Sequence, residues 1–294
     1  MKTKFAPVVP IDMQYGLGDN GLMGDYHLLI APQVLKRKEA YARYYRAEPV
    51  ATIMDNGVIE TDDPGNWEEL REAANVVGAD YVVLPDVPDD VEGTLKVSEE
   101  NAKFLWQVFP LLGVVQGTDE KEVRNCIKAL AKIEGVVGFA VPRSLVDHFG
   151  TRLKVVQYIE KNFQDMPIHL LGLSDNLEDD LYVANKSEQV IGLDSAIPIH
   201  MGYLIERTWS LGRPRRPSDY WLRRGVPKYA AENIRRIRGW LQGVNYVPTK
   251  PEVSFPPQET PEPKSPSSEK SEAETNEGQE SLSRDLQESS SGTS

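Results

Sequence analysis

Eight short apolar runs, separated by longer amphipathic stretches, constrain the fold of this 294-residue chain more than any other feature of its sequence. Neighbouring runs mostly begin roughly 20 to 30 residues apart, which is the length of a unit of one strand and one helix. The predicted strands are Pro7–Ile11, Leu28–Ala31, Ala51–Met54, Tyr81–Leu84, Gly113–Gln116, Val136–Val141, Ile168–Gly172 and Val190–Leu193. This succession predicts parallel strands joined by helices.

The segments between the runs have helical patterns. Apolar residues recur at helical spacing in Trp67–Val77 and Glu99–Val108, and acidic residues open Glu120–Ile133. Asn66 precedes the first of these segments and is a favourable capping residue. Eight such units predict a (β/α)8 TIM barrel, a fold of about 250 residues. The alternative, an open doubly wound sheet, is disfavoured because no glycine-rich dinucleotide or Walker motif follows a predicted strand.

Composition limits the domain number, the metal sites and the compartment. Hydrophobic residues make up 40% of the chain, enough for one large core. Cys126 is the single cysteine, which excludes an intrachain disulfide and a multi-cysteine zinc site, and the histidines lack helical metal spacing. The N-terminus lacks the apolar core of a secretory signal, and no apolar stretch approaches the roughly 20 residues that span a bilayer. We therefore expect a cytoplasmic protein with no membrane association and no metal.

Two regions near the C-terminus differ in composition from the rest of the chain. Residues 248–294 are rich in Pro, Ser and Glu and carry ten acidic residues against four basic ones, which predicts a disordered acidic tail.

The predicted barrel domain is 1–247, with a basic helical region at 203–247. Ten Lys or Arg lie between Glu206 and Arg238, with four aromatic residues among them. Such a patch suits a phosphate backbone, and a solvated helix face is an equally open interpretation. The candidate nucleic-acid contacts are Arg213, Arg215, Arg216, Arg223 and Arg224.

Polar residues and glycines follow most of the predicted strands. They are Asp55-Asn56-Gly57, Pro85-Asp86, Gln116-Gly117, Pro142-Arg143, Gly172-Leu173-Ser174 and Asp194-Ser195. Because the C-terminal ends of barrel strands meet at one rim, we expect these groups to share a pocket, where two carboxylates could carry out covalent glycosyl chemistry. Each motif also has a structural interpretation, since an Asp after a strand often caps a helix or supports a turn. His169, inside an apolar run, is expected in the core or directly behind the site.

In their order along the chain, these motifs resemble the tRNA-guanine transglycosylase superfamily, (β/α)8 enzymes that exchange guanine in a nucleic acid for a 7-deazaguanine base. Ile53-Met54-Asp55-Asn56-Gly57 is similar to the family's Thr-Asp-Ser-Gly-Gly. Gly192-Leu193-Asp194-Ser195-Ala196-Ile197-Pro198 lies where the family has Phe-Asp-Cys-Val-Leu-Pro. The resemblance implies that Asp194 is the nucleophile and that Asp55 is the general acid and base.

The remaining motifs resemble the family's base-binding segments. Gly113–Gly117 is similar to Ile-Val-Gln-Gly, Gly138–Val141 to Gly-Leu-Ala-Val, and His169–Gly172 to Tyr-Leu-Met-Gly, while Leu84-Pro85-Asp86 falls at the position of a base-recognising Asp. The resemblance implies that Asp86 and Gln116 read the heterocycle and that the backbone N–H of Gly138 contacts its carbonyl. The implied substrate-binding residues are Asn56, Asp86, Gln116, Gly117, Gly138, Leu171 and Gly172.

Two departures from the family indicate which branch the chain resembles. The Cys-x-Cys-x-x-Cys and His zinc site of the tRNA enzymes is missing, and Val58 or Ile59 stands where an aromatic residue stacks on the base. Members without zinc include phage-encoded enzymes that place 7-deazaguanines into DNA. The resemblance therefore implies a phage-type DNA transglycosylase that uses a free base such as preQ0 and forms a covalent aspartyl intermediate without a cofactor.

Other functions remain open from the sequence. The chain could be a tRNA transglycosylase that has lost its zinc, or a non-catalytic barrel subunit that binds nucleic acid for a partner enzyme. A third alternative is an unrelated barrel lyase or hydrolase that acts on a small sugar, although such an enzyme would not use the basic region. The sequence leaves the oligomeric state, including a homodimer, undecided.

Overall fold

The computed structural model describes residues 3–19, 21–63, 65–175, 177–203 and 219–243. The strands are β1 Lys4–Pro7, β2 His27–Ile30, β3 Thr52–Asp55, β4 Tyr81–Val83, β5 Leu111–Val114, β6 Val136–Pro142, β7 Ile168–Leu171 and β8 Val190–Ser195. The α-helices are α1 Gln14–Asp19, α2 Ala31–Lys36, α3 Lys38–Tyr45, α4 Val58–Thr61, α5 Trp67–Val77, α6 Val91–Leu105, α7 Glu120–Leu130, α8 Leu145–Phe149, α9 Leu153–Asn162, α10 Leu177–Lys186, α11 Ile197–Tyr203 and α12 Ala230–Leu241. Short 3-10 helices span Ile11–Met13 and Tyr220–Leu222.

The eight strands form a nearly closed parallel barrel. Each strand from β2 to β7 pairs with the next one along the chain, and β8 pairs with β1, so the order around the sheet is β1-β8-β7-β6-β5-β4-β3-β2. Asp25, two residues before β2, joins the two edge strands: its N–H donates to the Phe5 carbonyl and its carboxylate accepts from the Phe5 N–H, both at 2.9 Å. The predicted (β/α)8 barrel is confirmed, and the open-sheet alternative is wrong.

Alternation along the strands separates two layers of core side chains. Ile53, Leu112 and Ala140 belong to a buried cluster in the barrel interior. Phe139, which precedes Ala140 in β6, and Leu193 of β8 belong to a larger cluster between the strands and the surrounding helices. Since successive side chains of a strand point to opposite faces, the two clusters define which residues face the barrel interior.

Most of the predicted elements are found, with shifted ends. The α5 bounds match the prediction, and the Asn66 side chain accepts the Glu69 N–H at 3.0 Å as its cap. By contrast, α6 starts at Val91, where Asp90 caps it, and not at Glu99. The β5 strand begins and ends two residues before the predicted Gly113–Gln116.

The predicted first strand, Pro7–Ile11, is wrong in position. Strand β1 ends at Pro7, and the apolar residues that follow it continue into the loop and a 3-10 helix. Prolines at 7 and 10 have no N–H to give to a sheet. Val8, Val9 and Ile11 are nevertheless buried, because each packs into one of the hydrophobic clusters of the fold. A buried loop therefore imitates the apolar run of a strand.

Several predictions concern residues outside the described part of the chain. The predicted disordered tail, 248–294, lies there, as do Arg213, Arg215 and Arg216. Within the predicted basic region 203–247, the structure describes Tyr203 and residues 219–243, which include α12. Among the described helices, none has the length and apolar character needed to cross a bilayer.

Candidate active site

Strand alternation directs the main candidate residues into the barrel. Leu193 packs outward, so Asp194, the next residue of β8, faces the interior. The same argument turns Asp55 inward after Met54, Gln116 inward after Val115, and His169 inward after Ile168. The candidate residues from four separate strands therefore converge inside the C-terminal half of the barrel, as the sequence predicts.

Asp194 is buried and held by the loop after β7. Its exposed fraction is 6%, and its Oδ1 accepts the N–H of Gly172 at 3.1 Å. Gly172 has a φ of +65°, a left-handed conformation that favours glycine, and a Cβ there would lie 3.2 Å from the Arg143 side chain. The predicted pocket-wall residue Leu171 ends β7 directly before it and packs on the interior cluster. The structure thus brings the candidate nucleophile, Leu171 and Gly172 together.

Asp55 combines a turn-forming bond with an unusual environment. Its Oδ1 accepts the Gly57 N–H at 2.8 Å, so Asp55 supports the turn that follows β3, as the structural interpretation of this residue predicts. The pKa of Asp55 is raised well above its ordinary value, first by burial and then by the negative charge of Glu60. The charges of Asp194 and Asp86 raise it further. Asp55 is therefore electrostatically coupled to both other candidate carboxylates, and its neutral, proton-holding form is favoured.

The candidate base-reading residues form one hydrogen-bonded cluster. Asp86 accepts from Asn56 Nδ2 at 2.8 Å on one oxygen and from Gln116 Nε2 at 2.7 Å on the other. Burial raises the pKa of Asp86, and these two donors oppose that shift. Asp86 and Gln116 are 4% and 1% exposed, so a substrate can contact their side chains only after neighbouring protein groups move aside.

A second loop fixes the orientation of the Gln116 amide. The backbone N–H of Asp89 donates to Gln116 Oε1 at 3.1 Å, which leaves Gln116 Nε2 directed at Asp86. Asp89 has a φ of +61°, and its carboxylate lies 2.9 Å from His148 Nε2. Neither Asp89 nor His148 was identified from the sequence, because neither follows a strand directly.

Gly117 and Gly138 are placed differently from one another. Gly117 follows Gln116 and has a φ of +140°, and a Cβ there would lie 2.8 Å from the Val123 nitrogen, so a tight turn requires glycine. Gly138 lies inside β6, four residues before its end, and pairs with Leu112 in the sheet. The structure does not bring Gly138 to the rim with the other candidates.

Two of the five candidate arginines lie in the described residues, on a segment that crosses the rim next to β1. Tyr220 anchors this segment by donating its hydroxyl to the Val8 carbonyl at 2.6 Å. Arg223 lies over the Tyr203 ring at 4.4 Å and pairs with Asp219 at 3.1 Å. The side chain of Arg224 is 84% exposed and lies 3.6 Å from Asp12.

A buried ion pair supports the loop that holds Asp194. The side chains of Arg152 and Asp180 have no solvent exposure and approach to 2.7 Å. Arg152 also donates to the carbonyls of Val141 and Leu171, at 3.1 and 3.2 Å, and Asp180 accepts the Ser174 N–H at 2.6 Å. The pair therefore connects the ends of β6 and β7 with the first turn of α10.

Behind Asp194 lies a polar pair that rim motifs alone could not locate. Tyr26, directly before β2, has its hydroxyl 2.6 Å from His169 Nε2, and both side chains are buried. The expected place of His169, in the core or behind the site, is confirmed. Tyr26 precedes its strand, and a search for residues that follow strands passes over it.

Within the described ranges, no group of three or more His, Cys, Asp or Glu side chains is arranged to hold a metal ion. No family model matches this chain, and no curated protein matches it significantly. The motif resemblance thus remains an expectation, and any function has to be argued from the geometry of the site.

Proposed function

We propose that this protein exchanges guanine in DNA for a 7-deazaguanine base through a covalent intermediate on Asp194. The observation that carries the proposal is the electrostatic coupling of two carboxyl groups that face the barrel interior. Asp194 accepts a backbone N–H from Gly172, while the pKa of Asp55 is raised by burial, by Glu60 and by the Asp194 charge. A carboxylate that can attack carbon and a neighbouring carboxyl that holds a proton are the two groups that a retaining exchange at C1′ needs.

In the first step, an oxygen of Asp194 attacks C1′ of the nucleotide. The bond from C1′ to the guanine nitrogen breaks, and its electron pair leaves with guanine, which takes the proton held by Asp55. The products of this step are free guanine, an ionised Asp55 and a glycosyl ester on Asp194.

In the second step, the ionised Asp55 removes the ring N–H proton of the incoming 7-deazaguanine. The freed nitrogen attacks C1′, the bond from C1′ to Asp194 breaks, and its electron pair returns to the Asp194 carboxylate. Two displacements retain the configuration at C1′, and Asp55 is again protonated. Apart from the incoming base, the cycle consumes no co-reactant.

The cluster around Asp86 supports recognition of a guanine-like edge. Its carboxylate can accept from the ring N–H and amino group of the base, since each oxygen has a lone pair beyond those used by Asn56 and Gln116. The Gln116 amide carries both a donor and an acceptor, which suits a heterocycle carbonyl or ring nitrogen. Opening of the bonds that these side chains make to each other would accompany base binding.

DNA is favoured over tRNA as the polymer because the chain has no cysteine after Cys126 to form the zinc site of the tRNA enzymes. The exposed Arg224 beside the rim supports contact with a phosphate backbone. Chemistry at C1′ within duplex DNA requires the nucleotide to leave the stack, at a cost of a few kcal/mol.

The test measures incorporation of labelled guanine into DNA and, separately, into tRNA, together with a denaturant-stable adduct between protein and nucleic acid. We expect label and adduct with DNA for the wild-type chain. Asp194→Asn should lose both, whereas Asp147→Asn, which changes an exposed carboxylate on α8, should keep both. Label in tRNA but not in DNA would show that the substrate is tRNA and not DNA. An adduct that persists undiminished in Asp194→Asn would remove the nucleophile assignment.

A further inference from the structure

We propose that Tyr26 and His169 form a buried hydrogen-bonded chain behind Asp194, in which the Nδ1–H of His169 stabilises the Asp194 carboxylate as the glycosyl bond to it breaks. The proposal rests on the proposed exchange reaction, since it assigns positioning residues to that reaction. Neither side chain touches the substrate in this scheme. Both act through Asp194.

The register of the sheet places His169 beneath the candidate nucleophile. His169 pairs with Gly192, two residues before Asp194 on the neighbouring strand. Because Gly192 has no side chain, the Tyr26 hydroxyl can reach into this position, and a Cβ on Gly192 would lie only 2.9 Å from the Tyr26 oxygen. Glycine at this position therefore makes room for the contact between Tyr26 and His169.

The Tyr26 hydroxyl determines which nitrogen of His169 carries the proton. Burial, followed by the charges of Asp194 and Asp25, raises the pKa of Tyr26 well above its ordinary value, so the hydroxyl keeps its proton. Among the described residues, His169 Nε2 is the single hydrogen-bond partner of that hydroxyl, at 2.6 Å. The hydroxyl therefore donates, Nε2 accepts, and the remaining proton of a neutral imidazole sits on Nδ1.

The imidazole stays neutral across the working pH range. Burial, followed by the positive charge of Arg152, lowers the pKa of His169 to about 3. A neutral donor suits this position, because an imidazolium would form an ion pair with Asp194 and make its carboxylate a weaker nucleophile.

The donor is close to Asp194 but not yet bonded to it. His169 Nδ1 lies 3.9 Å from Asp194 Oδ1, and within the described part of the chain this buried Nδ1 has no hydrogen-bond partner. A hydrogen bond needs about 2.7–3.2 Å, so a shift of about 1 Å closes the gap. An unsatisfied buried donor is costly, which favours that shift when negative charge develops on the carboxylate.

The hydrogen-bonded chain of Tyr26 and His169 acts mainly in the second displacement. When the bond from C1′ to Asp194 breaks, the electron pair returns to the carboxylate and full negative charge appears beside Nδ1–H. The hydrogen bond then forms without any proton leaving His169. In the first displacement the same hydrogen bond would stabilise the attacking carboxylate and slow its attack, but at 3.9 Å the bond is not formed in the free protein.

The first test needs no substrate. Nitrogen NMR of the histidine side chains in the free protein should show a neutral His169 protonated on Nδ1 between pH 5 and about 8. Tyr26→Phe keeps the ring but removes the hydroxyl, and should shift His169 toward the Nε2–H form. Tyr45→Phe is the matched control, since Tyr45 is also buried but its hydroxyl has no partner among the described residues.

The second test follows the lifetime of the Asp194 adduct on DNA after addition of a 7-deazaguanine. In Tyr26→Phe the adduct should break down about tenfold more slowly, the loss expected for one hydrogen bond to a charged group, while its formation changes little. Gly192→Ala keeps both polar side chains but displaces the hydroxyl, and should give the same result. Tyr45→Phe should match the wild type.

The two tests separate the inference from the proposed function. An Nε2–H tautomer of His169 in the wild-type protein would overturn the proposed hydrogen-bonded chain of Tyr26 and His169, whichever reaction the protein catalyses. A correct tautomer with unchanged adduct lifetimes in Tyr26→Phe and Gly192→Ala would overturn the catalytic role while the exchange reaction stands. Absence of any adduct in the wild type would overturn the exchange reaction and with it the role of His169.

Discussion

At the scale of single residues, the unusual feature is a carboxyl group kept in a costly environment. Burial raises the pKa of Asp55, and the charges of three other carboxylates, Glu60, Asp194 and Asp86, raise it further. Perturbed carboxyl groups of this kind are concentrated at functional sites, where one group holds a proton that its neighbour has lost.

Asp55→Asn should stabilise the protein at pH 8 but not at pH 4. In the unfolded chain Asp55 ionises near its ordinary pKa of about 3.9, whereas in the folded protein that pKa is higher. The folded state therefore binds more protons, and stability falls as pH rises through this window. Asn removes the charge and can still accept the Gly57 N–H, so the free energy of unfolding in urea should rise by on the order of 1 kcal/mol at pH 8. Equal effects at pH 4 and pH 8 would contradict this explanation.

The proposed exchange reaction predicts that the same variant loses this activity. Removal of a positioned acid and base typically costs at least about 100-fold in rate, and the retained shape of Asn should leave nucleic-acid binding near the wild-type level. Rates of guanine incorporation and binding isotherms at one salt concentration provide the comparison. Loss of binding together with activity would show that Asp55 has a structural role.

At the scale of secondary-structure elements, the buried pair of Arg152 and Asp180 holds the site together. It connects β6, β7 and α10 and supports the loop whose Gly172 N–H binds Asp194. A buried ion pair adds little net stability compared with apolar residues, but removal of one partner leaves an uncompensated buried charge.

Arg152→Met should lower the free energy of unfolding by about 3–5 kcal/mol, because Asp180 is then buried without its partner. The double variant Arg152→Met with Asp180→Leu should recover a large part of that loss. Chemical denaturation of the two variants and the wild type measures the difference. A double variant less stable than the single one would refute the explanation from unpaired charge.

At the scale of the whole molecule, closure of the barrel depends on a small seam. Strands β1 and β2 share no sheet ladder in the described residues, and Asp25 provides the bonds to Phe5 that join them. Arg238 of α12 lies 3.6 Å from Asp25 on the outside of the seam.

Asp25→Ala should increase hydrogen exchange at the Phe5 amide far more than elsewhere and lower stability by about 1–3 kcal/mol. Asp80→Ala is the matched control. Asp80 likewise precedes a strand and accepts a strand N–H, that of Thr52 at 2.8 Å, but there the β3 and β4 ladder continues the pairing. Exchange that rises equally in both variants would mean that the seam is no weaker than the rest of the sheet.

The sequence determined much of the fold because strand and helix patterns are local. Apolar runs at regular intervals predicted eight strands, and Asn66 predicted the start of α5. The β1 position was not predictable, because Val8 and Ile11 are buried by packing against residues that are distant in the sequence. The early start of α6 was not predictable either, because its first two buried positions are the polar residues Thr94 and Ser98, so the sequence shows no apolar stripe there.

For the candidate site, the sequence by itself determined which residue types follow the strands, and hence that Asp55, Asp86, Gln116 and Asp194 share a barrel. The tertiary structure alone decided their states: the bonding of Asp86 to Gln116, the raised pKa of Asp55 and the approach of Tyr26 to His169. Hydrogen bonds and pKa shifts depend on distances between residues far apart in the chain. Such distances are set only when the barrel closes, so a sequence pattern does not specify them.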